Sequence, residues 1–320
     1  MATVRDRLDD ATTRLAAAGI DTPRVDAEWL LAGALGVTRG RLHAVANQPM
    51  TVEGGESYEV WVSRRARREP LQHILGTQAF RDIMMRVGPD VLVPRPETEL
   101  LVSWALELLP ARGAGRPLVL DVGTGSGCIA CALAHERHDI DVIALDASPA
   151  AVETARANAE ELGVSGRVRV CVSDLFSALA GMSADLIVSN PPYMRSDEVP
   201  SLTPEVRDHE PRTAIDGGPD GLDMIRALVS QAPSWLRPGA PLLLETAGGD
   251  QADAVTDLLR QAGFTDIATR RDLAGINRFV SGRCSSAGFA GAIRDLGGGS
   301  EARRQARERR KGGEAPLRGY

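Results

Sequence analysis

The first part of the chain repeats apolar residues at the three- and four-residue spacing of amphipathic helices. Leu8, Ala11 and Leu15 share one helical face, and Pro23 is typical of the first turn of the helix that follows. The run RRARR over residues 64–68 falls on a later helix, where we expect a solvent-exposed face. No strand pattern is clear before residue 80. The sequence therefore predicts a small helical domain here.

Residues 76–96 change to a two-residue alternation. Ile83, Met85 and Val87 alternate as they do on one face of a strand, and residues 88–90 (Gly-Pro-Asp) have the composition of a turn. This segment predicts a β-hairpin that links two domains.

Short apolar runs alternate with helical patterns from Pro117 onward. The predicted elements are Leu118–Val122, Gly127–Glu136, Asp141–Leu145, Pro149–Leu162, Val168–Val172 and Asp185–Ser189, then Pro241–Thr246, a helix over 250–262, and strands Ile267–Arg271 and Asn277–Ser281. Strands that alternate with helices indicate βαβ units and a parallel sheet covered by helices. The closely spaced last two strands predict an antiparallel edge, and the fold class is α/β.

Composition limits the functional classes. The 320 residues are 43% hydrophobic with a net charge of −6, which argues against a nucleic-acid-binding protein. The four cysteines form no disulfide framework, the N-terminus lacks a signal-peptide pattern, and no apolar run is long enough to span a membrane. We therefore expect a cytoplasmic protein. Residues 284–320 are rich in glycine and arginine and predict a disordered basic tail rather than an RNA contact.

The segment VLDVGTGSGCIA, which begins at Val119, joins a buried strand to a helix through three glycines. Glycines at such a turn let backbone N–H groups approach a ligand closely. The spacing D-x-G-x-G-x-G differs from the G-x-G-x-x-G of dinucleotide sites and resembles the S-adenosylmethionine loop of Rossmann-like methyltransferases. The candidate cofactor-binding residues of the loop are Gly123, Thr124, Gly125, Ser126 and Gly127.

Two further acids end the next two predicted strands. Asp146 follows Gly123 by 23 residues, the position from which an acid accepts ribose hydroxyls in nucleotide-binding folds. Asp174 is suited to accept from an adenine amino group, with Leu175 against the ring. Acids also end strands for purely structural reasons, so the prediction depends on Asp121, Asp146 and Asp174 together, at the ends of three successive strands.

Cys128 and Cys131 form a C-x-x-C pattern in the predicted helix after the loop. No second cysteine pair or suitable histidine spacing accompanies them, so we predict two small residues that face the sheet and no metal site.

The predicted strand Asp185–Ser189 ends on Asn190, Pro191, Pro192 and Tyr193. The two prolines fix the backbone, so the Asn190 side-chain oxygen and the Pro191 carbonyl can both accept from one planar NH₂ group, and Tyr193 can pack on its plane. Amide and aryl-amine nitrogens are poor nucleophiles that gain from such positioning beside an activated methyl group. The alternative is a cis-proline turn that merely closes the strand.

The glycine loop followed by NPPY is shared by methyltransferases that act on adenine, guanine or glutamine nitrogen. Four further segments narrow the resemblance: REPLQHILGTQAF (68–80), VLVPRPETELLV (91–102), EVRDHEPRTAIDGGPDGL (205–222) and LLLETAGGDQ (242–251). With these segments the chain resembles the release-factor glutamine methyltransferase family, also called HemK or PrmC, over about residues 5–283.

The resemblance implies a Rossmann-like, seven-stranded methyltransferase domain that uses S-adenosylmethionine. Its expected divisions are a helical substrate-recognition domain (1–75), a β-hairpin linker (76–96), the methyltransferase domain (97–283) and the tail (284–320). The implied reaction methylates the N5 amide nitrogen of the glutamine in the GGQ motif of peptide chain release factors 1 and 2.

Site residues carry over from the family by position. The loop Gly123–Gly127, Asp146 and Leu175 would bind the donor, Asn190 would contact both donor and substrate, and residues 191–193 would shape the glutamine pocket as catalytic and substrate-binding residues. The block that would close over the site is Arg95, Glu97, Thr98 and Glu99.

The chain departs from the family pattern at three places. Leu175 replaces a common aromatic, so adenine packing would be weaker or supplied by Phe176. The usual E-I-G is Glu245-Thr246-Ala247-Gly248, and Asn277 replaces an aspartate before Arg278.

Three other functions compete with this one. A DNA adenine-N6 methyltransferase shares NPPY, but it must hold a duplex and flip a base, and this chain lacks a basic recognition domain. A glutamine methyltransferase of a ribosomal protein would have a similar sequence. A non-catalytic binding module would not need an intact Asn190.

Overall fold

The computed structural model of the chain describes residues 2–111 and 115–285. Its first part is helical, with α1 (Val4–Ala17), α2 (Pro23–Leu35), α3 (Leu42–Val45), α4 (Val52–Ala66) and α5 (Leu71–Leu75). The apolar faces of these helices bury a cluster of their own around Leu15, Leu30 and Tyr58. A capping box begins α1, because the Thr3 hydroxyl accepts from the Asp6 N–H and the Asp6 carboxylate accepts from the Thr3 N–H.

The predicted hairpin is present as β1 (Thr77–Phe80) and β2 (Ile83–Arg86), which pair antiparallel. Strand structure thus begins before residue 80, in a four-residue strand too short to show a pattern. The hairpin turn is Arg81-Asp82, with Arg81 in the left-handed region at φ +51°, whereas residues 88–90 form a separate turn closed by the Val91 N–H on the Gly88 carbonyl.

The remaining described residues alternate strands and helices as expected. The elements are α6 (Pro96–Leu108), β3 (Leu118–Val122), α7 (Cys128–Glu136), β4 (Asp141–Asp146), α8 (Pro149–Glu161), β5 (Val168–Val172), β6 (Leu186–Ser189), α9 (Pro204–His209), α10 (Asp223–Gln231), β7 (Pro241–Glu245), α11 (Asp250–Gln261), β8 (Phe264–Arg271) and β9 (Asn277–Cys284). Every position of β6 and β7 is buried, as expected for strands covered on both faces. The predicted bounds of these elements match the observed ones to within one residue, except that β8 begins and β9 ends three residues beyond its predicted bound.

Within the described residues, seven strands form one sheet in the order β5-β4-β3-β6-β7-β9-β8. The first five of these pair in parallel, and β9 runs antiparallel to both β7 and β8. The predicted α/β fold class and antiparallel edge are confirmed. The strand order reverses between β3 and β6, and ligands bind in open α/β sheets beyond the carboxyl ends of the strands at such a point.

The arginine run at 64–68 is not the solvated face that we expected. Arg65 is buried and pairs with Asp26 of α2 at 2.7 Å and with Glu205 of α9 at 2.8 Å. Arg68 reaches the other oxygen of Glu205, also at 2.8 Å. The run therefore connects the helical part to the segment between β6 and β7, a long-range contact that local charge density does not reveal.

The domain division at residues 75 and 96 stays a prediction. The predicted tail lies, from residue 286 onward, outside the described residues, and β9 extends to Cys284, one residue past the predicted boundary. Among the described helices, none combines the length and apolar character needed to cross a membrane.

Candidate active site

A cavity of about 650 Å³ lies beyond the carboxyl ends of β3, β4, β5 and β6. Its volume is in the range typical of small-molecule sites. Nine of the residues predicted to bind the donor or the substrate line it: Gly123, Thr124, Gly125, Ser126, Asp146, Asp174, Leu175, Asn190 and Pro192. Gly127, Pro191 and Tyr193 lie outside its wall, and their predicted roles in binding stay predictions.

The glycine loop connects β3 to α7 beneath this cavity. All three of its glycines have positive φ values, and the Gly123 N–H donates to the Leu145 carbonyl at 2.8 Å. Gly127 is the N-cap of α7 at φ +81°, and a Cβ atom there would lie 3.1 Å from the Cβ of Ala155. The third glycine therefore permits the close approach of the loop to α8.

Asp121 holds the loop from inside the fold. It is fully buried at the end of β3, and its Oδ2 accepts from the Thr124 hydroxyl at 2.6 Å and from the Ala130 N–H at 3.2 Å. Burial raises the pKa of this carboxyl to about 7, against the effect of those two hydrogen bonds. Asp121 supports the loop and is not part of the cavity wall.

Asn158 of α8 supports the loop from the hairpin side. Its Nδ2 donates to the Ser126 carbonyl at 2.8 Å and to the Arg86 carbonyl at 3.0 Å, and its Oδ1 accepts from the Arg86 N–H at 2.7 Å. The buried amide thus joins β2 to the glycine loop. Sequence reasoning missed Asn158, because its partners are 32 and 72 residues away and nothing in the local pattern marks it.

Asp146 stands at the end of β4, beside the loop. One carboxylate oxygen accepts from the Gly125 N–H and the other from the Ser148 N–H, each at 2.9 Å. A carboxylate oxygen can accept more than one hydrogen bond, so both atoms keep acceptor capacity toward the cavity. The carboxylate is thereby oriented by the backbone and ready for paired hydroxyl donors.

Asp174 and Leu175 follow β5 and line the same cavity. Leu175 has a φ of +48°, which is uncommon for a residue other than glycine, and its carbonyl accepts from the Ser173 hydroxyl at 2.8 Å. Phe176 does not pack in the cavity as we suggested. It is 1% exposed and stacks on Trp235 with ring centroids 5.7 Å apart, because the left-handed turn at Leu175 directs the chain into the core.

Asn190 reaches the cavity from the end of β6, next to β3 in the sheet. Its Nδ2 donates to the Thr98 hydroxyl at 3.1 Å, and that hydroxyl donates to Oε2 of the buried Glu245 at 2.9 Å. The described residues contain no cis peptide bond, so the turn over 190–193 is not the cis-proline turn of the alternative explanation.

Tyr193 is held through its backbone. Its carbonyl accepts from Gln251 Nε2 at 2.9 Å, and the same amide contacts the Gly221 carbonyl at 3.3 Å. A Cβ atom at Gly217 would lie 2.6 Å from the Pro192 carbonyl, and one at Gly221 would lie 2.3 Å from the Tyr193 carbonyl. Gly217 and Gly221 therefore let the segment DGGPDGL pack directly on the NPPY backbone, because a side chain at either position would collide with it.

The segments VLVPRPETELLV (91–102) and EVRDHEPRTAIDGGPDGL (205–222) complete the cavity wall. Arg95 lines the cavity and pairs with the buried Glu210 at 2.5 Å, which fixes the 91–95 segment to the segment after α9. Burial raises the pKa of Glu210, although Arg95 lowers it. Thr98 also lines the cavity, but Glu99 does not close over it, because its side chain accepts from the Arg81 N–H of the hairpin turn at 3.1 Å.

The chain is similar to known proteins in sequence and in fold. The chain matches the family model of the PrmC N-terminal domain over residues 6–76 and that of the methyltransferase small domain over residues 98–205. It is 44% identical to the release factor glutamine methyltransferase of Geobacter sulfurreducens, covering 88% of this chain and 96% of that protein. The protein of the same name from Mycolicibacterium smegmatis is also 44% identical, with 88% and 98% covered. The chain belongs to the release factor glutamine methyltransferase family.

Membership in this family confirms the predicted resemblance and makes the chain a methyltransferase. A crystal structure of a methyltransferase from Pyrococcus furiosus has the same fold, with a TM-score of 0.50, 18% identity, and 70% of this chain and 98% of that chain covered. The fold is that of S-adenosylmethionine-dependent methyltransferases.

The chain's departures from the family pattern lie at different places in the site. Leu175 lines the cavity, whereas Asn277 begins β9 outside its wall. In the altered loop, the Thr246 hydroxyl donates to the Arg278 carbonyl at 3.0 Å and accepts from the Gly248 N–H at 3.1 Å. The loop after β7 is thus held by a side chain that the usual sequence does not supply.

Both cysteines of the C-x-x-C pattern are buried and free in α7. Burial raises the pKa of the Cys128 thiol far above its usual value and that of Cys131 to about 12, so neither thiol is a nucleophile at neutral pH. In the described part of the chain, no group of three or more His, Cys, Asp or Glu residues is arranged to hold a metal ion.

Proposed function

We propose that this chain transfers a methyl group from S-adenosylmethionine to the N5 amide nitrogen of the glutamine in the GGQ motif of peptide chain release factors 1 and 2. The observation that carries the proposal is the Asn190 residue, which lines the same cavity as Asp146 and Asp174 and follows a strand on the other side of β3 from theirs. The names of the relatives support a release factor as the substrate. Because release factors act in translation termination, we place the activity in the cytoplasm.

The cavity fits the donor in size and in chemistry. Asp146 offers two oriented oxygens to the ribose hydroxyls, and Asp174 and Leu175 serve the adenine. Ser126 also lines the cavity, and its side chain is buried in the glycine loop. In this proposal the loop Gly123–Gly127 binds the donor, with Gly127 acting through helix packing. When bound, S-adenosylmethionine supplies a methyl group that its sulfonium has already activated.

The acceptor glutamine is held by the NPPY turn. The Asn190 Oδ1 and the Pro191 carbonyl each accept one N–H of the substrate amide, which directs the nitrogen toward the methyl group. Pro192 and Tyr193 shape the pocket around the rest of the glutamine side chain. Positioning of this type supplies about 7–11 kcal/mol in the best intramolecular reactions. The two acceptors also stabilise positive charge as it builds on nitrogen, and a proton leaves to solvent after the bond has formed.

Two other acceptors keep the same chemistry. An adenine N6 amino group is also a planar NH₂, but the chain is acidic overall with a net charge of −6, which disfavours a duplex. A glutamine of a ribosomal protein would fit the same pocket, and only the acceptor's surroundings distinguish it from a release factor.

A transfer assay separates these functions. The chain is incubated with methyl-labelled S-adenosylmethionine and, in parallel, a release factor, the same factor with its GGQ glutamine changed to alanine, ribosomal protein and duplex DNA. We expect label on the intact release factor alone. Equal label on the alanine variant, or label on another acceptor instead, would refute the proposed substrate, whereas the absence of label on every acceptor would refute methyl transfer to this set.

A further inference from the structure

A chain of two hydrogen bonds lies behind the Asn190 carboxamide. It runs from Asn190 Nδ2 to Thr98 Oγ1 at 3.1 Å, and from Thr98 Oγ1 to Glu245 Oε2 at 2.9 Å. Thr98 and Glu245 are 2% and 1% exposed, whereas Asn190 is half-buried and lines the cavity. The two hydrogen bonds therefore connect the cavity surface to a carboxyl group at the end of β7 in the protein interior.

The chemistry of these groups fixes which atom donates and which accepts in the two hydrogen bonds. A hydroxyl has one hydrogen to donate, and an ionised carboxylate only accepts. With Glu245 ionised, the Thr98 hydrogen points to Glu245, so Thr98 presents a lone pair to Asn190. The Asn190 amide must then direct its NH₂ group at Thr98 and its oxygen toward the cavity.

The opposite orientation of the amide would be unproductive. A reversed Asn190 would present N–H donors to the acceptor's own N–H donors, and one of the two acceptors required by the proposed mechanism would be lost. An asparagine side chain reverses by rotation about one bond, so its shape alone does not select the oxygen. The selection must come from its neighbours.

We propose that Thr98 and Glu245 are positioning residues, which orient the Asn190 carboxamide so that its oxygen faces the acceptor amide. The inference rests on the proposed function, in which Asn190 accepts from the substrate NH₂. It assigns a task to Thr98 in the first turn of α6 and to Glu245 at the end of β7, neither of which touches the reacting atoms.

Charged and titratable groups from three elements surround Glu245. Burial is the largest effect and raises the pKa of Glu245 to about 7. Hydrogen bonds from Thr98 and Tyr193 and the positive charge of Arg278 in β9 lower it, whereas the negative charge of Glu97 in α6 raises it. Arg278 is itself held by Asp272 at 2.8 Å. Below this pKa, a proton on Oε2 would make Glu245 the donor to Thr98; Thr98 would then donate to the Asn190 oxygen and turn it away from the cavity. Turnover should therefore rise between about pH 6 and pH 8.

The first experiment compares three variants of the full chain in the transfer assay. Thr98→Val keeps the side-chain shape and removes the hydroxyl, and Thr98→Ser restores it. Thr256→Val is the matched control, because the Thr256 hydroxyl only donates to the Ala252 carbonyl within α11, at 2.9 Å. For Thr98→Val we expect kcat to fall at least tenfold, with affinity for S-adenosylhomocysteine and Tm close to wild type. For Thr98→Ser and Thr256→Val we expect kcat within about threefold of wild type.

A Thr98→Val kcat within threefold of wild type would overturn the inference, as would a Thr98→Ser variant no more active than Thr98→Val. Glu245→Gln tests the second link, because glutamine cannot ionise. Its kcat should lose the rise between about pH 6 and pH 8, and a profile identical to that of wild type would remove Glu245 from the assignment.

A second measurement does not depend on turnover. In ¹⁵N-labelled protein, the Asn190 carboxamide signal is assigned by its loss in Asn190→Ser. Thr98→Val should shift this signal, and Thr256→Val should not. An unchanged signal in Thr98→Val would overturn the inference, whatever the transfer assay shows. Absence of methyl transfer to a release factor by the wild-type chain would refute the proposed function alone.

Discussion

Gly221 offers a test of how closely the NPPY turn must be held. It has a φ of +74°, and a Cβ atom there would lie 2.3 Å from the Tyr193 carbonyl oxygen and 2.7 Å from Gln251 Nε2. Side-chain Cβ atoms essentially never approach other atoms within 3.0 Å. In Gly221→Ala the Tyr193 carbonyl must therefore move by at least about 0.7 Å, the difference between those two distances.

The expected effect on turnover follows from that displacement. A misplacement of about 1 Å costs about 100-fold in rate where the reaction depends on positioning. The Tyr193 peptide is directly bonded to the turn that holds the acceptor amide in the proposed mechanism. We therefore expect Gly221→Ala to lower kcat by roughly 30- to 100-fold and to leave donor affinity nearly unchanged, because the donor loops lie on other strands.

A matched control separates this contact from backbone strain. Gly239 has a φ of +80°, and a Cβ atom there would meet nothing within 4 Å. Alanine in the left-handed region costs about 1–2 kcal/mol at either position, so Gly239→Ala reproduces the backbone strain of Gly221→Ala without the contact on the Tyr193 carbonyl. The assay measures kcat, the Kd of S-adenosylhomocysteine and Tm for both variants. If Gly221→Ala retained the kcat of Gly239→Ala, the close packing of this segment on NPPY would have no part in turnover.

Three further predictions address the donor, the acceptor and the helical part. Asp146→Ala should raise the Kd of S-adenosylmethionine by roughly 100-fold, since two charge-assisted hydrogen bonds contribute about 3 kcal/mol together; unchanged affinity in calorimetry would exclude the ribose assignment. Asn190→Ala should lower kcat at least about 100-fold while donor affinity stays within about threefold, and a rate near that of wild type would contradict the double-acceptor mechanism. Burial raises the pKa of Glu205, but hydrogen bonds from Arg68 and Arg65 lower it, and the net pKa is below 4.5. The ionised Glu205 therefore contributes its full stabilisation above its unfolded pKa of about 4.5, and this stabilisation is lost as pH falls through the folded pKa. The difference in unfolding free energy between wild type and Glu205→Gln should shrink between about pH 5 and pH 3, and a constant difference would show that the ion pairs do not stabilise the fold.

The sequence was sufficient for those parts of the fold and site that local pattern determines. Alternating apolar runs identify β3 to β7, and the glycine spacing identifies the loop after Asp121. Asn190 stands out because no ordinary turn needs an amide followed by two prolines. These features were predicted because each is encoded within a stretch of about ten residues.

Contacts between distant segments could not be predicted in the same way. Thr98 and Asn190 are 92 residues apart, and Thr98 and Glu245 are 147 apart, so no local pattern joins them. The left-handed backbone at Leu175, which sends Phe176 into the core, is a tertiary constraint on a residue that does not favour it. The buried pairing of Arg65 depends likewise on Asp26 and Glu205, which lie in two other helices.

The strand order divides the cavity between two halves of the sheet. The walls from β3, β4 and β5 carry the glycine loop, Asp146 and Asp174, while NPPY and the segment that packs on it belong to one long excursion between β6 and β7. Within the sheet, the two halves adjoin at the boundary between β3 and β6. Mutations in the excursion can therefore accumulate with little effect on the other half. A fold divided in this way can diverge in what it modifies while it inherits unchanged the means of carrying the methyl group.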